Sequence, residues 1–222
     1  NIKKINIQTF GKENNLADLD SLISKCSLIF HLAGENRNKK DKNFTINNTD
    51  LTSKIVEIIK KKKKKISLIF SSTSQINKKK NIYSKSKLDA ENILKKNSNQ
   101  LFKVKIYRFT NVYGKWSKPN YNSVVATFCH NLSRNKKIHL SKTNEILDLL
   151  YIDDVISYFL ADIRTVLKKK YELISKFPNT HKITVHDLAK KINFFKKNRT
   201  TLLTNIELAD GFNKFLYSTY LS

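Results

Sequence analysis

The chain has 222 residues, 40% of them hydrophobic and 27% charged, which suits one domain, or a domain with a small lobe, around a sizeable core. Its two cysteines, Cys26 and Cys129, lie far apart, which excludes a disulfide framework and a cysteine-based metal site and indicates a reducing compartment. No apolar run approaches the roughly 18–20 residues of a membrane span, and no signal peptide opens the chain, so a cytoplasmic location is expected. The net charge of +25 invites nucleic acid or an anionic membrane as partner. The excess is lysine, however, with few arginines for bidentate base contacts, and it is spread along the whole chain. We read it as decoration of solvated faces, with no specific nucleic-acid partner and no membrane span. There is no methionine, not even at position 1, so the chain reads as processed or as part of a longer one.

Taken in order, KINIQTF over 4–10 alternates as a strand does, and 15–25 places Leu16, Leu19, Leu22 and Ile23 at helical spacing. SLIFHLAG over 27–34 is a continuous apolar run stopped by glycine, the pattern of a buried parallel strand that feeds a loop. Residues 48–64 carry the helical stripe Leu51, Ile55, Ile58 and Ile59. ISLIFSST over 66–73 is a second buried strand, 84–96 a helix and FKVKIYRF over 102–109 a strand. The alternation of strands and helices predicts an α/β fold, a parallel sheet of Rossmann-like type covered by helices. Further on, 121–134 predicts a helix, 138–140 and 147–152 short strands, and Asp153 the start of a helix reaching about 169. A strand over 171–175, a helix over 184–197 opened by Thr184, and a helical tail from 203 complete the reading. The expected division is a dinucleotide-binding core over 1–112, holding the catalytic helix, and remaining core elements with a small mixed substrate-binding lobe over 113–222.

Ligands of parallel sheets bind beyond the C-terminal ends of the strands, and HLAG, SST and RFTN all fall there. Tyr83 and Lys87 then follow at i and i+4 on one helical face, shortly after the strand that ends in Thr73. A phenol ordinarily titrates near 10, and a close ammonium is expected to bring it down towards the working range. With a threonine hydroxyl beside them, these groups can protonate a carbonyl oxygen as hydride reaches its carbon, or run the reverse. Each residue also has an ordinary reading: a half-buried tyrosine, a solvated lysine, a turn threonine. His31, inside an apolar strand, reads as a hydrogen-bonded core residue, and Asn48 as a helix cap that could also serve the site. Trp116 and Tyr121 either stack on a base or sugar or pack the lobe. The five histidines form no HxH or HExxH set, so no metal is assigned.

With Tyr83-Ser-Lys-Ser-Lys87 and the preceding Phe70-Ser-Ser-Thr-Ser, the sequence resembles the extended short-chain dehydrogenase/reductases, the NAD-dependent epimerase/dehydratase family. HLAG at 31–34 resembles the cofactor-lining segment, RFTNVYG at 108–114 the loop beside the nicotinamide, and YIDDV at 151–155 a further block of that branch. GKWSKPNYNSVVATFCHN at 114–131 and the closing FLYSTYLS are similar to the bifunctional capsular polysaccharide enzymes that make UDP-N-acetyl-L-fucosamine precursors. The resemblance implies NADP (or NAD) as cofactor, and reduction of the 4-keto group of a UDP-2-acetamido-2,6-dideoxy-hexos-4-ulose, a UDP-linked 4-keto amino sugar, for capsule or other surface polysaccharide. It implies Tyr83 as proton donor, Lys87 on the ribose and tuning the phenol, and Thr73 on the C4 oxygen. Leu32, Ala33, Gly34, Asn48, Arg108 and Asn111 would meet the cofactor, with Asn48 also supporting the active-site helix. Asn111, Lys118, Asn120 and Asn122 would meet the substrate. Family habit implies a homodimer.

The sequence departs from the family in one respect. Among its four glycines, Gly11, Gly34, Gly114 and Gly211, none forms the GxxGxxG turn that takes a pyrophosphate. The first strand of the family, its glycine loop and the C-terminal metal-binding cupin domain are expected to be missing, with impaired or absent activity as a consequence. Two other readings stay open: a nucleotide-sugar 4-epimerase or dehydratase of the same superfamily, and a non-catalytic basic binding protein on a worn Rossmann scaffold. Ser74 and Gln75 stand where a dehydratase needs a carboxylate, which disfavours that reaction.

Overall fold

In the computed structural model, described for residues 5–35, 45–77, 81–140, 143–166, 174–175, 179–201 and 206–222, the chain divides into two compact units. Unit one comprises 1–108 and 163–176, and unit two 109–162 and 177–222.

Unit one is built on a sheet whose strands are β1 (Leu28–His31), β2 (Ile66–Thr73), β3 (Phe102–Phe109, its last residue lying past the unit boundary) and β6 (Ile174–Ser175), in the order β1-β2-β3-β6. β1 pairs with β2 in parallel, as does β3 with β6. Parallel strands buried on both faces need apolar residues on both, and Ile66, Leu68, Ile69 and Phe70 of β2 are all buried. The helices are α1 (Leu16–Lys25), α2 (Leu51–Lys62) and α3 (Ile82–Asn97). Leu19 and Ile23 of α1, the Ile55–Val56–Ile58–Ile59 stripe of α2, and Ala90 and Leu94 of α3 join β2 and β3 in one core.

Local chemistry sets the helix ends. Asn15 and Asp18 form a reciprocal capping box at the start of α1. The Asn81 side chain caps α3 by accepting from the Ser84 N–H at 2.8 Å. The lysine run closes α2: Lys60, Lys61 and Lys62 sit in its last turn, where cations suit the helix dipole, and Lys63 takes the left-handed cap at φ 47°. Lys61 pairs with Glu57 at 2.8 Å and Lys62 with Asp20. A dense charge run is here a solvated helix end.

Unit two holds β4 (Asn111–Tyr113), β5 (Ile146–Tyr151) and β7 (Thr180–Thr184), in the order β4-β5-β7. β5 is parallel to β4 and antiparallel to β7, so the smaller sheet is mixed. α4 (Val124–Ser133), α6 (Val185–Thr201) and α7 (Gly211–Leu221) pack with it around Leu149, Ile183, Leu188, Ile192, Phe195 and Leu216. α5 (Ile152–Val166) carries the chain from unit two back into unit one.

The α/β class and the parallel sheet stand as expected, and several local expectations are corrected. Residues 5–10 form no strand: Ile5 and Ile7 are 47% and 79% exposed, and no described strand pairs with this stretch. Residues 138–140 are likewise irregular, and α7 begins at Gly211. Of the strand expected over 171–175, only 174–175 lie among the described residues, as do only parts of the expected strand from 4 and helical tail from 203. β4 and β7 are strands that local pattern did not announce. Thr184 does open α6, accepting from the Asp187 N–H at 3.1 Å.

Candidate active site

β2 ends in Ser71-Ser72-Thr73 because the sheet runs out there and the strand turns polar; a short 3₁₀ turn, Ser74–Asn77, follows. α3 starts soon after and places Tyr83 and Lys87 on one face, next to that strand end. Thr73 is buried, and its side chain hydrogen-bonds the half-buried phenol of Tyr83. Burial pushes the Tyr83 pKa above its ordinary value, and the Thr73 bond acts in the opposite direction.

Lys87 is 4% exposed. Its ammonium donates to the Ser71 carbonyl oxygen at 2.9 Å and lies 4.8 Å from the centre of the Phe70 ring. Burial brings its pKa down from 10.5 to about 8. The expected lowering of the phenol by the ammonium is therefore corrected. The groups that set the Tyr83 pKa are the low-dielectric surroundings and Thr73, while Lys87 is directed to the strand carbonyl.

Asn48 is fully buried in a π-helical turn, Thr45–Asp50, that precedes α2. Its amide N donates to the Glu35 carbonyl oxygen at 3.0 Å and to Ser86 Oγ at 2.9 Å, and its Oδ1 accepts from the Glu35 N–H at 2.8 Å. Asn48 thus ties the loop after β1 to the active-site helix, and its side chain is engaged there instead of capping α2. Ser86 in turn donates to the Tyr83 carbonyl oxygen at 2.9 Å. Leu32, Ala33 and Gly34 are exposed just past the end of β1. A Cβ on Gly34 would lie 2.7 Å from Asn48 Oδ1 and 2.7 Å from Lys87 Nζ, so glycine is needed for the loop to pass both groups.

His31 is a buried core histidine, as read from sequence. Thr52 Oγ1 donates to the Asn48 carbonyl oxygen at 2.6 Å, so it accepts from His31 Nε2 at 2.9 Å, which places the ring proton on Nε2. Burial, then the charge of Lys87, lowers the His31 pKa to about 3. Arg108 directs Nε and Nη2 at the carboxylate of Glu91, at 2.8 and 2.7 Å. Glu91 had no part in the sequence reading. Its signal was its spacing, eight residues after Tyr83 and four after Lys87 on the same helix face.

The residues expected to meet the substrate lie in unit two. Asn111 and Asn122 line a small cavity of about 140 Å³ with Tyr113, Ser123 and Leu149. Asn111 also donates to the Asp148 carbonyl oxygen at 3.2 Å. Lys118 and Asn120 are in the preceding turns: the ammonium of Lys118 is 5.9 Å from the Tyr121 ring centre, and Asn120 adopts φ 55° with its N–H on Thr127 Oγ1 at 3.0 Å. Trp116 is 90% exposed, so packing of the lobe does not account for it. Among the described residues, no cluster of His, Cys, Asp and Glu could hold a metal, and no helix is long and apolar enough to cross a membrane.

A strand-end threonine, a tyrosine and a lysine gathered over a parallel Rossmann-like sheet are groups able to serve carbonyl–alcohol chemistry. The profile of the NAD dependent epimerase/dehydratase family matches residues 7–174, and the chain belongs to that family. It is 36% identical to a UDP-2-acetamido-2,6-beta-L-arabino-hexul-4-ose reductase of Pseudomonas aeruginosa, over 98% of this chain and 58% of the relative. Among solved structures, it resembles the capsular polysaccharide assembling protein CapF of Staphylococcus aureus with a TM-score of 0.79 and 35% identity, over 95% of this chain and 56% of that one. The fold is shared also with the Bordetella bronchiseptica enzyme WbmF, solved with NADH, at a TM-score of 0.76 and 20% identity, over 93% of this chain and 74% of that one. The chain thus spans a little over half the length of its two more similar relatives.

Proposed function

We propose that this chain is built for NAD(P)H-dependent reduction of the 4-keto group of a UDP-2-acetamido-2,6-dideoxy-hexos-4-ulose, a step in making a surface-polysaccharide precursor. The observation that carries the proposal is the half-buried phenol of Tyr83, hydrogen-bonded to Thr73, with buried Lys87 one turn further along α3. The similarity to the Pseudomonas aeruginosa reductase over 98% of this chain supports the substrate class.

The nicotinamide dinucleotide, when bound, supplies the hydride. The chain's own groups fit its nicotinamide-ribose end: Lys87 offers an ammonium that donates to the Ser71 carbonyl oxygen, and Gly34 keeps the loop after β1 close to it. Among the described residues, the start of α1 does not fit the pyrophosphate end. The first glycine before a helix is Gly11, but its N–H is taken by Asn14 Oδ1 at 2.7 Å, and the N-terminus of α1 is closed by its own capping box with Asp18 in the first turn. That end presents carboxylate where an anion would need free N–H groups.

The remaining chemistry belongs to three side chains. Thr73 donates a hydrogen bond to the C4 oxygen and orients it. Tyr83, held above its ordinary pKa, stays protonated at neutral pH and gives its proton to that oxygen as negative charge develops on it. Lys87 keeps a positive charge below about pH 8 and stabilises the phenolate left behind. Thr73 is followed by Ser74 and Gln75, which offer no carboxylate for a dehydratase.

The test is to mix the chain with NADPH and the UDP-linked 4-keto sugar and follow NADPH absorbance. Substrate-dependent oxidation, with the 4-hydroxy sugar as product, is expected. Retention of the chain on heparin without any oxidation, unchanged in Tyr83→Phe, would instead favour a basic binding protein.

A further inference from the structure

We propose that Glu91 is a positioning residue of this site: its buried carboxylate locks the end of β2 onto α3 and so sets where Thr73 and Ser71 meet Tyr83 and Lys87. The proposal rests on the reductase reading for its catalytic consequence.

Glu91 is 0% exposed, yet it is ionisable, and every described contact of its two oxygens is a donor. Oε1 accepts from Ser72 Oγ at 2.6 Å and from Arg108 Nε at 2.8 Å. Oε2 accepts from Lys95 Nζ at 2.9 Å and from Arg108 Nη2 at 2.7 Å. Four donors satisfy the carboxylate, and the paired Arg108 bonds fix its plane. Burial alone would raise the Glu91 pKa, but hydrogen bonds from Arg108, Ser72 and Lys95 leave it below the usual value, so it remains charged at neutral pH.

The placement is what matters. Tyr83, Lys87 and Glu91 recur every four residues along one face of α3, and each is held by one of three consecutive residues of β2. Thr73 bonds the phenol, the Ser71 carbonyl takes the ammonium, and Ser72 bonds the carboxylate. A shift of the strand against the helix breaks all three together. Arg108, on β3, anchors the same carboxylate from a second strand. The guanidinium expected to touch cofactor thus acts on the helix that carries the reacting groups. Catalysis of this kind is steep in distance, so a small loss of register is felt as lost rate even when substrate still binds.

The experiment uses the full chain labelled with fluorotyrosine, with the Tyr83 fluorine resonance assigned by its disappearance in Tyr83→Phe. Glu91→Gln keeps the size but turns one oxygen into an NH₂ facing donors. It is expected to lower kcat by roughly 10–100-fold with KM changed by less than about threefold, and to move the Tyr83 resonance. Ser72→Ala, which keeps the ion pairs and should fold if Glu91→Gln does not, is expected to lower kcat by about 3–10-fold and to move the same resonance. A resonance unmoved in every variant that folds, or an unchanged kcat per folded molecule in an active chain, overturns the proposal. A wild-type chain without turnover whose Tyr83 resonance still moves in these variants would sink the reductase reading and leave the positioning role standing.

Discussion

The ammonium of Lys87 donates to the carbonyl oxygen of Ser71 at 2.9 Å, and both lie at the mouth of the parallel sheet. This one bond does not replace the solvation that burial removes. The Lys87 pKa falls from 10.5 to about 8, so the folded protein binds fewer protons than the unfolded chain between those values. Stability therefore rises with pH from about 8 to 10.5, and at neutral pH the charge is carried at a cost of roughly 3 kcal/mol. Lys87→Met is expected to abolish turnover while raising stability at pH 7 by about 1–3 kcal/mol, read from chemical denaturation. A less stable Lys87→Met would mean that the ammonium is not held against a solvation penalty.

Thr73 has two roles, on the substrate oxygen and on the phenol, and one substitution removes both. Its bond lowers the Tyr83 pKa against the effect of burial. Thr73→Val is expected to reduce kcat by roughly 10–100-fold and to move the ionisation of the Tyr83 phenol, followed by its fluorotyrosine resonance, to higher pH. An unmoved Tyr83 titration would separate Thr73 from the phenol.

Gly34 is required by its neighbours. Its added Cβ would fall 2.7 Å from both Asn48 Oδ1 and Lys87 Nζ. The ammonium is the flexible end and yields first. Gly34→Ala is expected to lower kcat by about tenfold or more, with a modest loss of stability of about 1 kcal/mol. Kinetics and denaturation of the variant at wild-type values would show that the loop has room to spare.

His31 gives an acid limit to the fold. Its folded pKa of about 3 lies below the ordinary 6.5, so the unfolded chain takes up the proton first. The stability held above pH 6.5 is lost as pH falls towards 3, at about 1.4 kcal/mol per pH unit. His31→Gln, which can still donate to Thr52 but does not titrate, is expected to flatten that slope in denaturation curves taken between pH 6.5 and 4.5. An equal slope in the variant would assign the acid limit to other groups.

The parts legible in the sequence were those in which local pattern and burial coincide. β2 was read from 66 to 73 because its first half, with Ile66, Leu68, Ile69 and Phe70 buried, carries apolar residues on both faces before it ends in hydroxyls. β3 was legible over 102–109 because its apolar residues Phe102, Val104 and Ile106 alternate with Lys103 and Lys105. Tyr83 and Lys87 were legible because helical spacing and the strand-end rule both point at them. The strand expected over 4–10 failed because alternation describes a strand only when a neighbour pairs with it. β7 was missed for the converse reason: THKIT is weakly apolar, and its extended form comes from pairing with β5 from Ile146 to Leu150. Glu91 and Arg108 were out of reach as a pair because seventeen residues separate them in sequence, and only the packing of α3 against β3 joins them.

The most direct test of the central claim follows the hydride and the proton donor together. The chain is incubated with NADPH deuterated at the transferable C4 position and the UDP-linked 4-keto sugar, and the sugar product is weighed by mass spectrometry. We expect one deuterium at the sugar C4 with the wild-type chain, and product formation slower by roughly 100-fold or more in Tyr83→Phe. Deuterium-free product from the wild type, or full deuterium transfer at wild-type rate in Tyr83→Phe, would contradict it.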